Sequence, residues 1–164
     1  MAGSRHLAIV LVVLSLCACG SSSTAPQVYP DLSGTWSGNL TVSITLTGAP
    51  TFGIVCLHQW TISSSAGGQI TGTWQSSPDL SLANPTSACQ QSGSLTGTIS
   101  PSGAISVSFN TVILGATCSS VAGNDAVSGS LFLQMVTASG QDAIRCPTIS
   151  NEPRTLTLSV SKLQ

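Results

Sequence analysis

The chain is 164 residues long and carries 4 Lys or Arg against 5 Asp or Glu, a formal net charge of -1 at pH 7, with 5% charged residues. Binding phosphate needs clustered cations, so this balance excludes nucleic acid as an expected partner. The length suits one domain around one core, and solubility must rest on Ser, Thr, Asn and Gln instead of charge.

In chain order, the first predicted element is a secretory signal. Arg5 and His6 form a short positive start, and Leu7 to Leu16 an apolar core broken only by Ser15. Such a run is shorter than the about 20 apolar residues that cross a bilayer, and no later segment approaches that length. It ends in Leu16-Cys17-Ala18-Cys19-Gly20, which resembles the lipobox of bacterial lipoproteins, with Leu at minus three and a small residue at minus one. The resemblance implies cleavage after Ala18, diacylglycerol on the Cys19 sulfur and acylation of the new amine, two signals that make a durable membrane anchor. Gly20 in place of Asp implies onward passage to the outer membrane. An ordinary signal peptide cut near Ala18 is the alternative. The expected organisation is therefore a helical signal peptide over 1–18, a lipidated tether over 19–31 that begins with the flexible run Ser21 to Pro26, and one β domain over 32–164.

Past residue 20 no stretch repeats apolar residues at three and four, whereas alternation with period two is nearly continuous. Trp36, Leu40, Val42, Ile44 and Leu46 share one phase, as do Phe52, Ile54, Cys56, His58, Trp60 and Ile62, and then Ile70, Gly72 and Trp74. The pattern goes on through Leu95, Gly97, Ile99; Ile105, Val107, Phe109; Val127, Gly129, Leu131, Leu133, Met135; and Leu156, Leu158, Val160. The opposite phase is mostly Ser, Thr, Gln and Asn, so each strand has one buried and one wet face, as in antiparallel sheet. Strands are predicted over 34–46, 53–64, 69–77, 91–100, 103–112, 126–136, weakly 140–146, and 154–162. Tight turns are expected at Ser65 to Gly68, Ser100 to Gly103 and Thr137 to Gly140, and longer loops near 47–52, 78–90, 113–125 and 147–153.

If neighbouring strands run up and down, the short turns gather at one pole with both chain ends, and the long loops at the other. Gly placed two residues before bulky inward residues, as in Gly38 and Leu40 or Gly97 and Ile99, lets a sheet curve closely enough to close. The expected fold is an all-β, antiparallel eight-stranded up-and-down barrel, with a two-sheet β-sandwich as the alternative. Gly34-Thr35-Trp36 also resembles the G-x-W of the lipocalin-like and avidin-like calycin barrels. That resemblance implies that Trp36 closes the barrel floor and that Lys162, of inward phase on the last strand, covers its ring.

Beyond Cys17 and Cys19 four cysteines remain, Cys56, Cys89, Cys118 and Cys146. Their even number in an oxidising compartment predicts two disulfides at the long-loop pole, with three pairings open. Zinc is the rival reading, but C-x-x-C spacing is absent and no metal site is expected. His58 is the one histidine outside the signal segment, so no Ser-His-Asp set can be assembled, and the five acids share no strand face for paired-carboxylate chemistry. Neither catalysis nor a cofactor is expected.

Two non-enzymatic readings follow. In the first, the barrel is a structural or protein-interaction module acting on an envelope protein through its stapled loops. In the second, calycin-like, it binds a small apolar or amphipathic ligand, with Trp60, Trp74 and Phe109 on the wall and His58 and Arg154 at the mouth. For His58 itself a buried, hydrogen-bonded ring is the plainer expectation, and for Arg154 a rim ion pair with Glu152 or Asp79. The oligomeric state is left open.

Overall fold

A computed structural model of the chain describes residues 25–48, 50–81, 89–109, 119–120, 124–146 and 149–164. The signal segment, Cys19 and Cys118 lie outside the described residues, as does the side chain of Cys146.

Alternating apolar and small polar residues dictate extended chain, and the described residues form nine strands: β1 Gly34–Ile44, β2 Phe52–Ser64, β3 Gln69–Pro78, β4 Gln91–Ile99, β5 Ala104–Phe109, β6 Ser119–Ser120, β7 Asp125–Phe132, β8 Met135–Cys146 and β9 Ile149–Lys162. Every pairing is antiparallel. The order runs β1-β2-β3-β4-β5-β7-β8-β9, and β9 returns to pair with β1, which closes an eight-stranded up-and-down barrel. Closure removes the sandwich alternative, because no free sheet edge is left in the ring. The two-residue β6 pairs with the far end of β8, with Ser119 opposite Arg145. A short 3-10 turn spans Ala66–Gly68 between β2 and β3.

The inward phase is buried along nearly the whole circuit: Trp36, Leu40, Val42 and Ile44 on β1, Trp60 and Ile62 on β2, and Leu156, Leu158 and Val160 on β9 belong to one continuous core. Burying each such side chain contributes about 1.5–3 kcal/mol, the main force that holds the ring closed.

Four features depart from the strand expectations. The β7–β8 turn falls at Leu133-Gln134 and not at Thr137 to Gly140, so the weak strand 140–146 is the second half of a 12-residue β8. Leu133 and Met135, assigned above to the inward phase, are exposed, and Val136, Ala138 and Ile144 fill the core in their place. β9 begins at Ile149, not 154, because Glu152 and Pro153 already pair with Ile144 and Ala143. Phe52, the first residue of β2, is also exposed instead of inward.

The poles separate as the alternation of short and long connections requires. The turns at 65–68, 100–103 and 133–134, the start of β1 and the end of β9 share one pole. There the backbone N–H of Lys162 donates to the Gln134 carbonyl at 2.9 Å, and that of Leu163 to the Thr35 carbonyl at 2.8 Å.

Candidate functional site

The floor is built by the segment that enters β1. Leu32, absent from the sequence-based core, is fully buried beneath the ring. Its backbone N–H donates to Ser65 Oγ at 3.0 Å, and its carbonyl accepts from Trp36 Nε1 at 2.7 Å. Ser65 Oγ in turn donates to Asp31 Oδ1 at 3.1 Å, and the Ser33 N–H does so at 2.8 Å. The hydrogen bonds from Ser33 and then Ser65 hold the Asp31 carboxyl below the usual carboxylate range. Lys162, opposite Trp36 in the β1–β9 register, places Nζ 5.9 Å from the Trp36 ring centroid, within cation–π range. The chain thus plugs its own barrel at this pole.

The interior above the floor is occupied by rings. His58 stacks on Trp74 with centroids 5.4 Å apart, meets Phe109 at 5.4 Å, and sits edge-on to Trp60 at 6.2 Å. Trp74 and Phe109 touch at 5.4 Å. The cause is strand phase: Trp60 lies opposite Trp74 in the β2–β3 register, with His58 two residues earlier on the same face. All four rings are buried. The two ring nitrogens of His58 and the indole N–H groups of Trp60 and Trp74 have no protein hydrogen-bond partner among the described residues.

Desolvation in this apolar setting lowers the His58 pKa from its ordinary 6.5 to about 4. The folded protein therefore holds His58 neutral while the unfolded chain takes up a proton below pH 6.5. The stability present above that pH is lost as the pH falls toward 4, by about 3 kcal/mol at about 1.4 kcal/mol per pH unit. Urea titrations between pH 7 and 4 should show this decline, and His58→Phe, which keeps a ring in place, should flatten it.

Arg154 is not part of the ring cluster, and its partner is neither Glu152 nor Asp79. Its Nε and Nη2 fork onto the two oxygens of Asp142, each at 2.6 Å, and Nη2 also donates to Asp125 Oδ1. Asp142 faces it across the β8–β9 register, and Asp125 opens β7. Arg154 and Asp125 are both buried. Desolvation opposes the guanidinium charge, but the Asp142 hydrogen bonds and the two carboxylate charges outweigh it and raise the pKa above its ordinary value. Glu152 instead accepts from Thr47 Oγ1 at 3.4 Å, and Asp79 accepts from Ser81 in its own loop.

Near the same mouth Cys56 on β2 and Cys89 before β4 form a disulfide with Cα atoms 5.4 Å apart. It closes a sequence separation of 33 residues, which by loop entropy stabilises the fold by about 3–4 kcal/mol. Of the four sequence-assigned cysteines these two are brought together.

A depression of about 540 Å³ is lined by residues of both strand phases, with Ser37, Gln59, Gln75 and Ser92 of the outward phase and His58 and Gln91 of the inward phase among them. No cluster of three metal-binding side chains occurs among the described residues. Compared with known proteins, the chain matches no family model and no curated protein by sequence.

The sequence places Asp125 at the end of a predicted loop and Asp142 on the weakly patterned strand 140–146, so neither reads as a buried partner of Arg154. The signal was nonetheless present: Asp125 shares the phase of Val127, and Asp142 lies an even number of residues from Ile144 and Ala138.

Proposed function

We propose that the chain is a bacterial envelope lipoprotein, cut after Ala18, anchored through lipid on Cys19 and carried to the outer membrane. Its small barrel acts as a structural or protein-interaction module that presents the disulfide-stapled loop pole. The observation that carries this reading is the filling of the interior by the chain's own side chains: His58, Trp60, Trp74 and Phe109 pack on one another and Leu32 plugs the floor. A ligand carrier needs an apolar chamber large enough to bury its guest, whereas a filled barrel offers only its outside.

One observation favours a second, calycin-like reading, in which the barrel holds a small molecule: His58, Trp60 and Trp74, whose rings pack together in the interior, have ring nitrogens with no protein partner. The full chain purified from a bacterial envelope separates the two. The module reading expects an acylated Cys19 peptide by mass spectrometry and no saturable change in Trp fluorescence on titration with a fatty acid, since Trp60 and Trp74 sit in the packed interior. A saturating response, or a lipid that copurifies in stoichiometric amount and is not covalently bound, overturns it in favour of the carrier.

A further inference from the structure

The pole that carries the floor also carries an apolar tip. Phe132 and Met135 are opposed across the β7–β8 hairpin, and Leu133 stands at its turn. Their exposures are 68%, 41% and 83%, and that of the adjoining Leu163 is 51%. These four belong together in space, because the Lys162 N–H that ties β9 to the turn donates to the carbonyl of Gln134.

The turn itself is unusual. Leu133 adopts φ 55 and is the single non-glycine residue with positive φ among the described residues. The first central position of a two-residue hairpin with that geometry ordinarily takes Gly, which meets no steric penalty there. A Leu in its place carries backbone strain and exposes an isobutyl group to water, two costs with no return inside the fold. Strain kept at an exposed apolar residue points to a contact outside the domain.

The surroundings indicate which contact. The incoming chain reaches this pole: Tyr29 packs on Gly68 in the β2–β3 turn, so closely that a Cβ on Gly68 would lie 2.6 Å from its ring, and Leu32 follows into the floor. Only nine residues lie between Cys19 and Tyr29, so a lipid on Cys19 keeps this pole close to the bilayer. Among the described residues the charged side chains at this pole are Asp31 and Lys162, while Asp79, Asp125, Asp142, Arg145, Glu152 and Arg154 belong to the other half. A low-charge tip with Phe and Leu at its apex matches what enters the boundary between headgroups and acyl chains, about 5–10 Å deep.

We propose that the Phe132–Met135 hairpin tip, with Leu163, inserts into the leaflet that holds the lipid anchor and fixes the barrel upright, with the loop pole away from the lipid. This orientation rests on the lipid-anchor reading. The closing experiment places a benzophenone amino acid at Phe132, a conservative and exposed site, in the full chain reconstituted in vesicles of phosphatidylethanolamine and phosphatidylglycerol. A second sample carries it at Leu80, 80% exposed at the opposite pole. The expected result is a lipid adduct at 132 and none at 80. A protein–protein adduct at 132, which marks a second copy as the occupant, overturns the proposal, and so does no adduct at 132 or equal lipid adducts at both sites. Mass spectrometry of the Cys19 peptide in the same samples reads the anchor separately. Acylation without an adduct at 132 ends the tip proposal and leaves the anchor. An adduct at 132 without acylation ends the anchor and supports the tip.

Discussion

Replacing Arg154 with Met should destabilise the protein by about 3–5 kcal/mol, the cost expected when one partner of a buried ion pair is removed. The guanidinium is buried in the barrel with Asp125 and Asp142 as its counter-charges, bonding Asp142 through a bidentate fork. Met fills most of the volume of the Arg stem, so the loss is electrostatic more than steric. Two acidic side chains would then face one another across the β7–β8–β9 wall in a setting that screens them poorly. The check is equilibrium unfolding in urea, where the midpoint falls and the slope, which follows the surface exposed on unfolding, stays unchanged. Arg154→Lys should recover only part of the loss, since one ammonium cannot reproduce the fork. Adding Asp125→Asn to Arg154→Met should recover another part by deleting one of the opposing charges, and the shortfall from additivity reads the coupling directly. Equal stability of wild type and Arg154→Met would mean that the triad is surface-like in solution and the mouth more open than the packing indicates.

That triad also marks where sequence stops being legible. β1 to β5 could be read almost residue by residue, because alternation there is unbroken and the connections hold recognised turn residues, Ser65-Ala66-Gly67-Gly68 and Pro101-Ser102-Gly103. The β7–β8 hairpin could not. Leu131, Leu133 and Met135 continue the apolar alternation straight through a turn that contains neither Gly nor Asn, while Gly140, which invites a turn, sits within β8. A Cβ on Gly140 would collide with the Ala126 carbonyl, so this glycine serves close strand packing and not reversal. Pro153 misled in the same way, since a proline is ordinarily a strand boundary. It is accommodated in β9 with its carbonyl accepting from the Thr45 N–H at 3.1 Å. Among the candidate site residues, phase alone brings His58, Trp60, Trp74 and Phe109 to one interior. It says nothing of Leu32, which precedes the first strand and has no periodicity to reveal it, and phase alone does not pair Arg154 with two acids from another hairpin.

An effect of similar size is expected at a glycine. In β1, between β2 and β9, Gly38 faces inward, and a Cβ built there would fall within the van der Waals envelope of the Ser159 carbonyl oxygen and 2.8 Å from Val160 Cα. Both are backbone atoms of the neighbouring strand, so no side-chain rotation can relieve the overlap. β9 would have to move away from β1, and that seam is one of the eight on which closure depends. Overpacking by a single methyl commonly costs about 1–3 kcal/mol where side chains can give way. Here the obstacle is a strand held by a ladder, and Gly38→Ala should cost about 3 kcal/mol or more, on the order of 10 °C in Tm for a domain of this size. Gly53→Ala is the matched control: it lies at the start of β2, a Cβ there has its nearest neighbour at 3.9 Å, and its φ is not positive. Thermal unfolding of the two variants should therefore separate them clearly, with Gly53→Ala within a degree or two of wild type on the same scale of about 1 kcal/mol or less. If Gly38→Ala melted with the wild type, β1 and β9 would not approach as closely in solution as a sharply curved ring requires. The closed barrel, with the filled interior that the functional reading depends on, would then give way to an open sheet.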